Sequence, residues 1–335
     1  MPFVDEILKY KSVSIVGMEK NTGKTECLNY VLKRLENSSH KLAITSIGLD
    51  GEGMDQVSLT HKPEIHLKEG DVFVTSEAYY RTKKLDAKIL NLSKQRTSMG
   101  RLVTARVTAA GKVLIAGPSD TFWLKKLLES LSQFGVQTTL VDGALSRQSL
   151  GSPAITESMV LATGAALSAN MQTLISKTAF LHELINLPLW DSEKSDELLQ
   201  ITSGLWAIDK QGEVHDLGIE SAFLLEDNKD KLFEFGTTFY VSGAVTAGLL
   251  NFLRMQADIE NTVIIARDFS HIFADSDSYH AFTKRGGQIK VLLQTKLISV
   301  CVNPVSPQGY VLDSKVLREK LMERIGIPVY DLFKL

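Results

Sequence analysis

The sequence predicts an α/β protein with a doubly wound, mainly parallel sheet, and three observations favour this class. Apolar, β-branched residues at Ser12–Val16 and Leu42–Ile47 are typical of buried strands. Between them, Lys24–Leu35 places its apolar side chains on one helical stripe, which gives a strand–loop–helix–strand unit. Further along, the near-continuous apolar run Val136–Val141 is of the kind that is buried on both faces of a parallel sheet.

Composition and charge argue against several classes of protein. The 335 residues carry 37 basic and 39 acidic side chains, and no Lys/Arg block stands out, so electrostatic binding to nucleic acid is not expected. Cys27 and Cys301 are far apart and form no C-x-x-C pair, which indicates neither a disulfide framework nor a cysteine zinc site. No export signal or membrane helix is evident, since the longest weakly polar run, Thr238–Leu253, is shorter than the roughly 20 residues required. We therefore expect a cytoplasmic protein without membrane contact.

An antiparallel insertion at about 68–117 interrupts the α/β rhythm. Asp71–Thr75, Arg101–Val107 and Lys112–Ala116 have the composition of strands. The last two are expected to form a hairpin whose turn is Ala109–Gly111.

The α/β pattern then resumes and continues to the C-terminus. A polar stretch, Asp191–Glu197, is the best candidate for a linker. It predicts one domain at 1–190 and a smaller α/β region at 198–335, although the second part could instead complete a single large sheet. The expected helices are at about 120–134, 168–187, 247–255 and 314–324, and the expected strands are at 159–162, 239–241, 262–266, 289–293 and 298–302.

The strongest motif is Gly17-Met-Glu-Lys-Asn-Thr-Gly-Lys-Thr25, which lies between the first strand and the first helix. This is the context of a phosphate-binding loop, or P-loop, with five rather than four residues between the glycines. Backbone N–H groups and the helix N-terminus would bind the phosphates, with Lys24 on the β- and γ-phosphates and the Thr25 hydroxyl on Mg²⁺. The alternative is a glycine turn that merely ends in Gly-Lys-Thr. The predicted nucleotide-binding residues of the loop are Gly17, Asn21, Thr22, Gly23, Lys24 and Thr25.

A Mg²⁺ ion also needs a carboxylate, and two places could provide it. Asp142 follows the buried strand Val136–Val141, where a metal ligand is expected, although Asp-Gly is also a common turn. Asp50, with Glu52 and Asp55, follows the strand Leu42–Ile47. Asp50 could bind the metal or nucleotide, and a solvated acidic loop is an equal alternative. We therefore predict Lys24 and Asp142 as catalytic residues, and Thr25, Asp142 and Asp50 as Mg²⁺ ligands.

The first half of the chain resembles the dethiobiotin-synthetase and cobyrinic-acid-synthetase branch of P-loop proteins. The resemblance rests on the five-residue gap in the loop and on Leu140-Val-Asp-Gly-Ala144, which is similar to that branch's Val-Glu-Gly-Ala-Gly-Gly element. It implies a P-loop NTPase-like sheet with Asp142 as a Mg²⁺ ligand. It also implies that His61-Lys62-Pro63 occupies the place of a Lys-Pro element near the phosphates, which makes Lys62 a nucleotide-binding residue.

Over nearly its whole length the chain resembles a narrower family, the KamB-type subunits of the lysine 5,6-aminomutase reactivase of amino-acid-fermenting bacteria. The resemblance implies an ATP-dependent protein that works with a MutS-like ATPase subunit. Together they would restore a cobalamin- and pyridoxal-phosphate-dependent aminomutase whose cobalamin has been damaged. The strings that carry the resemblance are Ser14–Met18, Asn21–Thr25, Thr45–Gly48, His61–Ile65, Val141–Ser146, Ser152–Thr156, Asn303–Pro307 and Ile327–Asp331.

Three functions follow as expectations. The first is a reactivase subunit in which ATP biases a protein partner between states. The second is an ATP-dependent ligase or synthetase of the dethiobiotin-synthetase type, and the third is a GTPase-like metallocentre chaperone. ATP is favoured because the guanine-reading N/T-K-x-D signature is absent, and the nearest string, Asn228-Lys-Asp-Lys231, ends in lysine. The sequence leaves open the oligomeric state and whether the chain hydrolyses nucleotide alone.

Overall fold

A computed structural model describes residues 3–47, 64–118, 120–144, 152, 155–222 and 229–334. Within these ranges no helix is both long enough and apolar enough to cross a membrane. The helices are α1 (Val4–Ile7), α2 (Lys24–Arg34), α3 (Glu77–Arg81), α4 (Thr121–Leu131), α5 (Met171–Ile185), α6 (Ser195–Gln200), α7 (Lys229–Leu232), α8 (Ala247–Leu253), α9 (Ser276–Lys284) and α10 (Ser314–Ile325). The strands are β1 (Ser12–Gly17), β2 (Leu42–Ser46), β3 (Ile65–Leu67), β4 (Val72–Ser76), β5 (Lys84–Thr97), β6 (Gly100–Val113), β7 (Thr138–Ala144), β8 (Ser158–Gly164), β9 (Leu205–Ile208), β10 (Val214–Ile219), β11 (Thr238–Val241), β12 (Val245–Thr246), β13 (Val263–Ala266), β14 (Ile272–Phe273), β15 (Gln288–Val291), β16 (Lys296–Asn303) and β17 (Val329–Asp331).

The chain divides into two compact units, and the first contains a ten-stranded sheet. Its strand order is β17-β16-β8-β1-β7-β2-β4-β6-β3, with β5 paired to β6. Every neighbouring pair from β17 to β4 is parallel, whereas β6 is antiparallel to β3, β4 and β5. The prediction of a mainly parallel α/β sheet with an antiparallel insertion is therefore confirmed.

Strand β1 lies inside this sheet and is buried along its whole length. Its side chains alternate between the two faces, and Val13 and Ile15 belong to one hydrophobic cluster of the unit. Cys27, Leu28 and Val31, which are the buried residues of α2, pack in the same cluster. The apolar stripe seen in the sequence is therefore what fixes α2 against the sheet just beyond the end of β1.

The hairpin of the insertion differs from the predicted one. Residues 100–113 form one continuous strand, β6, and its hairpin partner is β5, which the sequence pattern did not indicate. The turn lies at Ser98 and Met99, before Gly100, whose φ of +96° is the left-handed conformation that glycine tolerates. Gly111 is a strand residue rather than a turn residue. A Cβ there would lie 2.0 Å from the Lys84 carbonyl oxygen, so its glycine permits close approach of a neighbouring backbone.

The second unit comprises residues 180–295 and contains a five-stranded sheet of order β10-β9-β11-β13-β15. The pairs β11–β13 and β13–β15 are parallel, and the pairs formed by β9 are antiparallel. A short parallel pair, β12–β14, accompanies it. Tyr240 and Ile265 are fully buried members of its hydrophobic cluster.

The boundaries of the two units differ from the predicted domain boundaries at 190 and 198, and the C-terminal segment belongs to the first unit. The first unit takes in residues 296–335 because β16 pairs with β8 and β17 with β16, so the C-terminal segment returns to the main sheet. The predicted linker, Asp191–Glu197, lies inside the second unit and runs into α6. Its acidic residues Asp196 and Glu197 occupy the first turn of that helix, where the helix dipole favours negative charge.

Asp71 provides a prediction on stability in the first unit. Its side chain is 3% exposed, and its Oδ2 accepts a hydrogen bond from the Lys68 backbone N–H at 3.1 Å. Burial raises the pKa of the carboxyl from 3.8 to about 6, against the smaller lowering effect of Lys68. The folded state therefore holds the proton more tightly than the unfolded state, and the free energy of unfolding falls as the pH rises from about 4 to about 6.

Asp71→Asn keeps an acceptor for Lys68 and removes the ionisation. We expect the variant to be more stable than the wild type by about 1 to 3 kcal/mol at pH 7, with little difference near pH 4. Urea unfolding at both pH values measures the change, and Asp86→Asn on the exposed part of β5 is the control. An equal stability difference at the two pH values would show that ionisation of Asp71 is not the cause.

Candidate functional site

The loop between β1 and α2, residues 18–23, lies at the carboxyl edge of the parallel sheet. Strand β1 ends at Gly17 between two parallel neighbours, β7 and β8. Asp142 lies near the end of β7, in register with Ile15 on β1 and with Ser46 on β2. In open α/β sheets, ligands bind outside the carboxyl ends of the strands, so a binding site is expected at this edge.

The β1–α2 loop is held by bonds to the sheet and within itself. The Met18 N–H donates to the Ala162 carbonyl on β8 at 2.9 Å. Thr22 is 1% exposed, and its hydroxyl donates to the Glu19 carbonyl at 2.8 Å. Asn21 has a φ of +62°, which is uncommon for a residue other than glycine. Thr22 therefore serves to close the loop, and its side chain does not point outward as a ligand.

Gly23 is where the chain turns from the loop into helix α2. It is the N-cap residue with a φ of +92°, and a glycine has no side chain with which to cap the first turn. By contrast, α4, α8, α9 and α10 each begin with a side-chain oxygen that accepts a backbone N–H. The N-terminus of α2 thus keeps the partial positive charge that favours an anion.

Lys24 and Asp142 meet at this edge. The Lys24 Nζ lies 3.1 Å from the Asp142 Oδ1, and the two side chains are 24% and 16% exposed. The Asp142 Oδ1 is buried and accepts no well-directed hydrogen bond from the described residues. The contact with Lys24 is therefore an ion pair, and this oxygen can still accept a hydrogen bond or bind a cation. The alternative of an Asp-Gly turn does not hold, because Asp142 and Gly143 are both paired residues of β7.

Asn303, at the end of β16, supports the loop from the side of β8. Its Nδ2 donates to the Asn21 carbonyl at 3.2 Å, and its Oδ1 accepts the Val305 N–H at 3.1 Å. A Cβ on Gly23 would lie 3.0 Å from the Asn303 Cβ. The Asn303 side chain therefore links the β1–α2 loop to the turn that follows β16.

Two of the predicted site residues, Asp50 and Lys62, lie outside the described residues, as do Glu52 and Asp55. Among the residues that are described, no group of three or more His, Cys, Asp or Glu side chains could hold a metal ion. Gly17, Lys24, Thr25 and Asp142 are brought to one edge of the sheet by the strand order. A metal at this edge would therefore depend on oxygens from a bound ligand as well as from the protein.

The two cysteines lie together in the core of the first unit, although they are distant in sequence. The Cys27 Sγ in the first part of α2 is 3.6 Å from the Cys301 Sγ on β16, and both residues are buried free thiols. Burial raises the pKa of the Cys301 thiol well above its ordinary value. The sulfurs therefore pack as small apolar groups in the core between α2 and the sheet.

Fold and site together define an α/β protein in which the β1–α2 loop, the N-terminus of α2 and the partly buried carboxylate of Asp142 meet at the carboxyl edge of a mainly parallel sheet. Comparison with protein-family models, with curated proteins and with solved structures found no match to this chain.

Gly23 gives a prediction that separates backbone strain from site geometry. Gly23→Ala would place a Cβ at a φ of +92° and within 3.0 Å of Asn303. Gly70 is the matched control, since its φ is +91° and no atom lies within 4 Å of a Cβ there. We expect both substitutions to lower the free energy of unfolding by about 1 to 2 kcal/mol, with the larger loss at Gly23.

Nucleotide affinity then distinguishes the two variants. If the loop binds ATP, as the sequence predicts, Gly23→Ala should weaken that binding by at least about tenfold, because the loop shifts from Asn303, whereas Gly70→Ala should leave it unchanged. Calorimetric titration of both variants at a temperature where each is folded gives the comparison. Equal affinities would show that the conformation of Gly23 is irrelevant to the site.

Proposed function

We propose that this chain binds a nucleoside triphosphate with Mg²⁺ at the β1–α2 loop. The observation that carries the proposal is the placement of Lys24 at the uncapped start of α2, 3.1 Å from the partly buried carboxylate of Asp142 on the neighbouring strand. At this strand end, a cation and a helix N-terminus can bind the phosphates, and a partly buried carboxylate can bind the metal that accompanies them. The Gly17–Thr25 motif supports the same assignment.

Each residue of the site has a distinct part in this proposal. The N–H groups of the loop and of the first turn of α2 donate to phosphate oxygens, and Lys24 neutralises their charge. Thr25, in the first turn, and Asp142 offer oxygens to the metal. When bound, Mg²⁺ would draw charge from the phosphates and so favour transfer of the terminal phosphoryl group. Because Mg²⁺ commonly keeps several waters and takes only one or two carboxylates, this small set of protein ligands fits it.

Titration calorimetry with ATP and GTP, with and without Mg²⁺, tests the proposal. We expect ATP to bind more tightly than GTP, and Mg²⁺ to strengthen the binding. Absence of binding of either nucleotide would overturn the assignment, and a preference for GTP would favour the metallocentre chaperone over the other two functions.

We further propose that the bound nucleotide serves a reactivase role toward a lysine 5,6-aminomutase, together with a MutS-like ATPase subunit. The strings that resemble those of KamB-type subunits support this role, Asn21–Thr25 and Asn303–Pro307 among them. In such a role ATP would change the affinity of this chain for its partner, which requires different contacts in the two nucleotide states.

Reconstitution tests this role. An inactivated aminomutase should regain activity only when ATP, Mg²⁺, fresh adenosylcobalamin, this protein and the ATPase subunit are all present. Full recovery without this protein would refute the role. Turnover of ATP that requires a specific small carboxylic acid and yields a product from it would instead identify a ligase.

A further inference from the structure

The β5–β6 ribbon concentrates positive charge that the sequence distributes without an obvious block. Between Arg81 and Lys112 there are nine basic side chains and one acidic side chain, which gives a formal charge of +8. Since the whole chain has a net charge of −2, the remaining residues carry −10. The protein is therefore strongly polarised in charge, with the positive part on one antiparallel ribbon and the segment leading into it.

The register of the ribbon sets like charges directly opposite one another. Lys84 pairs with Lys112, Lys88 with Arg106 and Arg96 with Arg101. Like charges in directly opposed cross-strand positions destabilise a sheet. Three such pairs in a single ribbon are unfavourable for the fold taken alone.

One member of each pair has a partner within the protein. The Lys84 Nζ lies 2.8 Å from the Glu64 Oε1, and the Arg101 guanidinium lies 3.1 Å from the Glu77 Oε1. The Arg106 guanidinium donates to the Phe134 carbonyl at 2.5 Å. The other members are Lys88, Arg96 and Lys112, which are exposed and have no carboxylate within ion-pair distance among the described residues.

Strand β5 contributes little to the core, so most of its side chains are accessible to a partner. Leu85 is the only buried side chain in this 14-residue strand. Ile89 and Leu92 are 46% and 37% exposed, and both lie between the charged positions. Ile89, Leu92 and Arg96 pair with Ala105, Val103 and Arg101, so they share one face of the ribbon, whereas Lys88, which pairs with Arg106, lies on the other face. Strand β5 therefore presents apolar and basic side chains to solvent on both sides of the same strand edge, and a partner that covers this edge meets both.

We propose that the β5–β6 ribbon is a docking surface for a partner protein with an acidic surface, with Ile89 and Leu92 supplying the apolar part of the contact. Charge complementarity argues for an acidic partner, because it would neutralise the cross-strand repulsion. Residues 84–113 contain no Phe, Tyr or Trp on which bases could stack, and the charge of −10 elsewhere repels an extended polyanion. The exposed apolar pair also suits a protein surface better than a phosphate backbone.

Charge reversal with a matched control tests the proposal on the full chain. The ribbon variant is Lys88→Glu/Arg96→Glu/Lys112→Glu. The control is Lys315→Glu/Lys320→Glu/Arg324→Glu on exposed positions of α10, which makes the same change in charge with the same residue types. An apolar variant, Ile89→Ser/Leu92→Ser, tests the other half of the contact, and circular dichroism checks the folding of all three.

Fluorescence anisotropy then measures binding of a labelled glutamate- and leucine-rich peptide and of a labelled random-sequence DNA duplex. We expect the ribbon variant to lose at least about tenfold in affinity for the peptide and the control to lose none. The apolar variant should weaken binding of the peptide while leaving any binding of DNA unchanged. Raising the salt concentration from roughly 50 to 200 mM should weaken binding of the peptide less than it weakens binding of the duplex.

Other outcomes overturn the proposal. Tight binding of the duplex, lost in the ribbon variant and indifferent to Ile89 and Leu92, would assign the ribbon to nucleic acid. Self-association in sedimentation that only the ribbon variant abolishes would make a second copy of this chain the occupant. If neither probe binds, or the control loses as much affinity as the ribbon variant, the ribbon is a solvated face.

Discussion

Replacing Lys24 with alanine is expected to weaken the binding of ATP with Mg²⁺ by roughly 2 to 4 kcal/mol, the scale of a lost charge-assisted contact. The physical reason is that Lys24 is the cation at the start of α2, and its ammonium is already held at the strand end by Asp142 at 3.1 Å. Calorimetry on the purified variant measures the loss. Folding should survive, because the Lys24 side chain is not part of the apolar stripe of α2.

Lys33→Ala is the matched control for this change. Lys33 is exposed near the C-terminal end of the same helix, so its loss removes the same charge without touching the loop. We expect the control to bind ATP as the wild type does. Unchanged ATP affinity in a folded Lys24→Ala variant would remove the basis for the proposed nucleotide site.

Replacing Asp142 with asparagine should leave nucleotide binding in place but weaken its dependence on Mg²⁺. Any hydrolysis or partner response is expected to fall by at least about tenfold, since stabilisation of charge by a metal in phosphoryl transfer is worth several kcal/mol. The substitution keeps the shape of the side chain and its place in β7, and it removes the charge from a buried oxygen. Titration of ATP over a range of Mg²⁺ concentrations measures the effect.

A double-mutant cycle separates the metal from the ion pair. If Asp142 acts only by holding Lys24, the Lys24→Ala and Asp142→Asn changes should not add, because either one removes the same 3.1 Å contact. If Asp142 also binds the metal, its substitution should lower the Mg²⁺ dependence further in a Lys24→Ala background. Superimposable Mg²⁺ curves for wild type and Asp142→Asn would assign the carboxylate to the fold alone.

Local sequence patterns were sufficient for the parallel part of the fold. The strand predicted at Ser12–Val16 and the helix predicted at Lys24–Leu35 agree with β1 and α2 within a residue at either end. The run at Val136–Val141 forms most of β7, which ends at Ala144. These elements are read correctly because each buries a continuous face, and a buried face leaves its period in the sequence.

Strand β5 of the antiparallel ribbon could not be predicted from local sequence patterns. Strand β5 buries one side chain, so its sequence carries no alternation of apolar and polar residues from which to infer a strand. Gly111 suggested a turn, yet it serves close packing against the backbone at Lys84. Because β5 was not predicted, its basic residues could not be placed opposite those of β6. The overall composition, which is nearly neutral, gave no sign of the charge on the ribbon.

By itself, the sequence determined the α/β class and the position of the β1–α2 loop, and it predicted which residues of that loop would bind a ligand, because these depend on neighbours along the chain. Tertiary structure alone decided which distant residues join them. Asn303 reaches the loop from 282 positions away, and the Cys27 and Cys301 sulfurs meet across 274. Such contacts follow from strand order, which places β16 beside β8 and β8 beside β1. Strand order is set by how whole elements pack together, and no local pattern of residues records it.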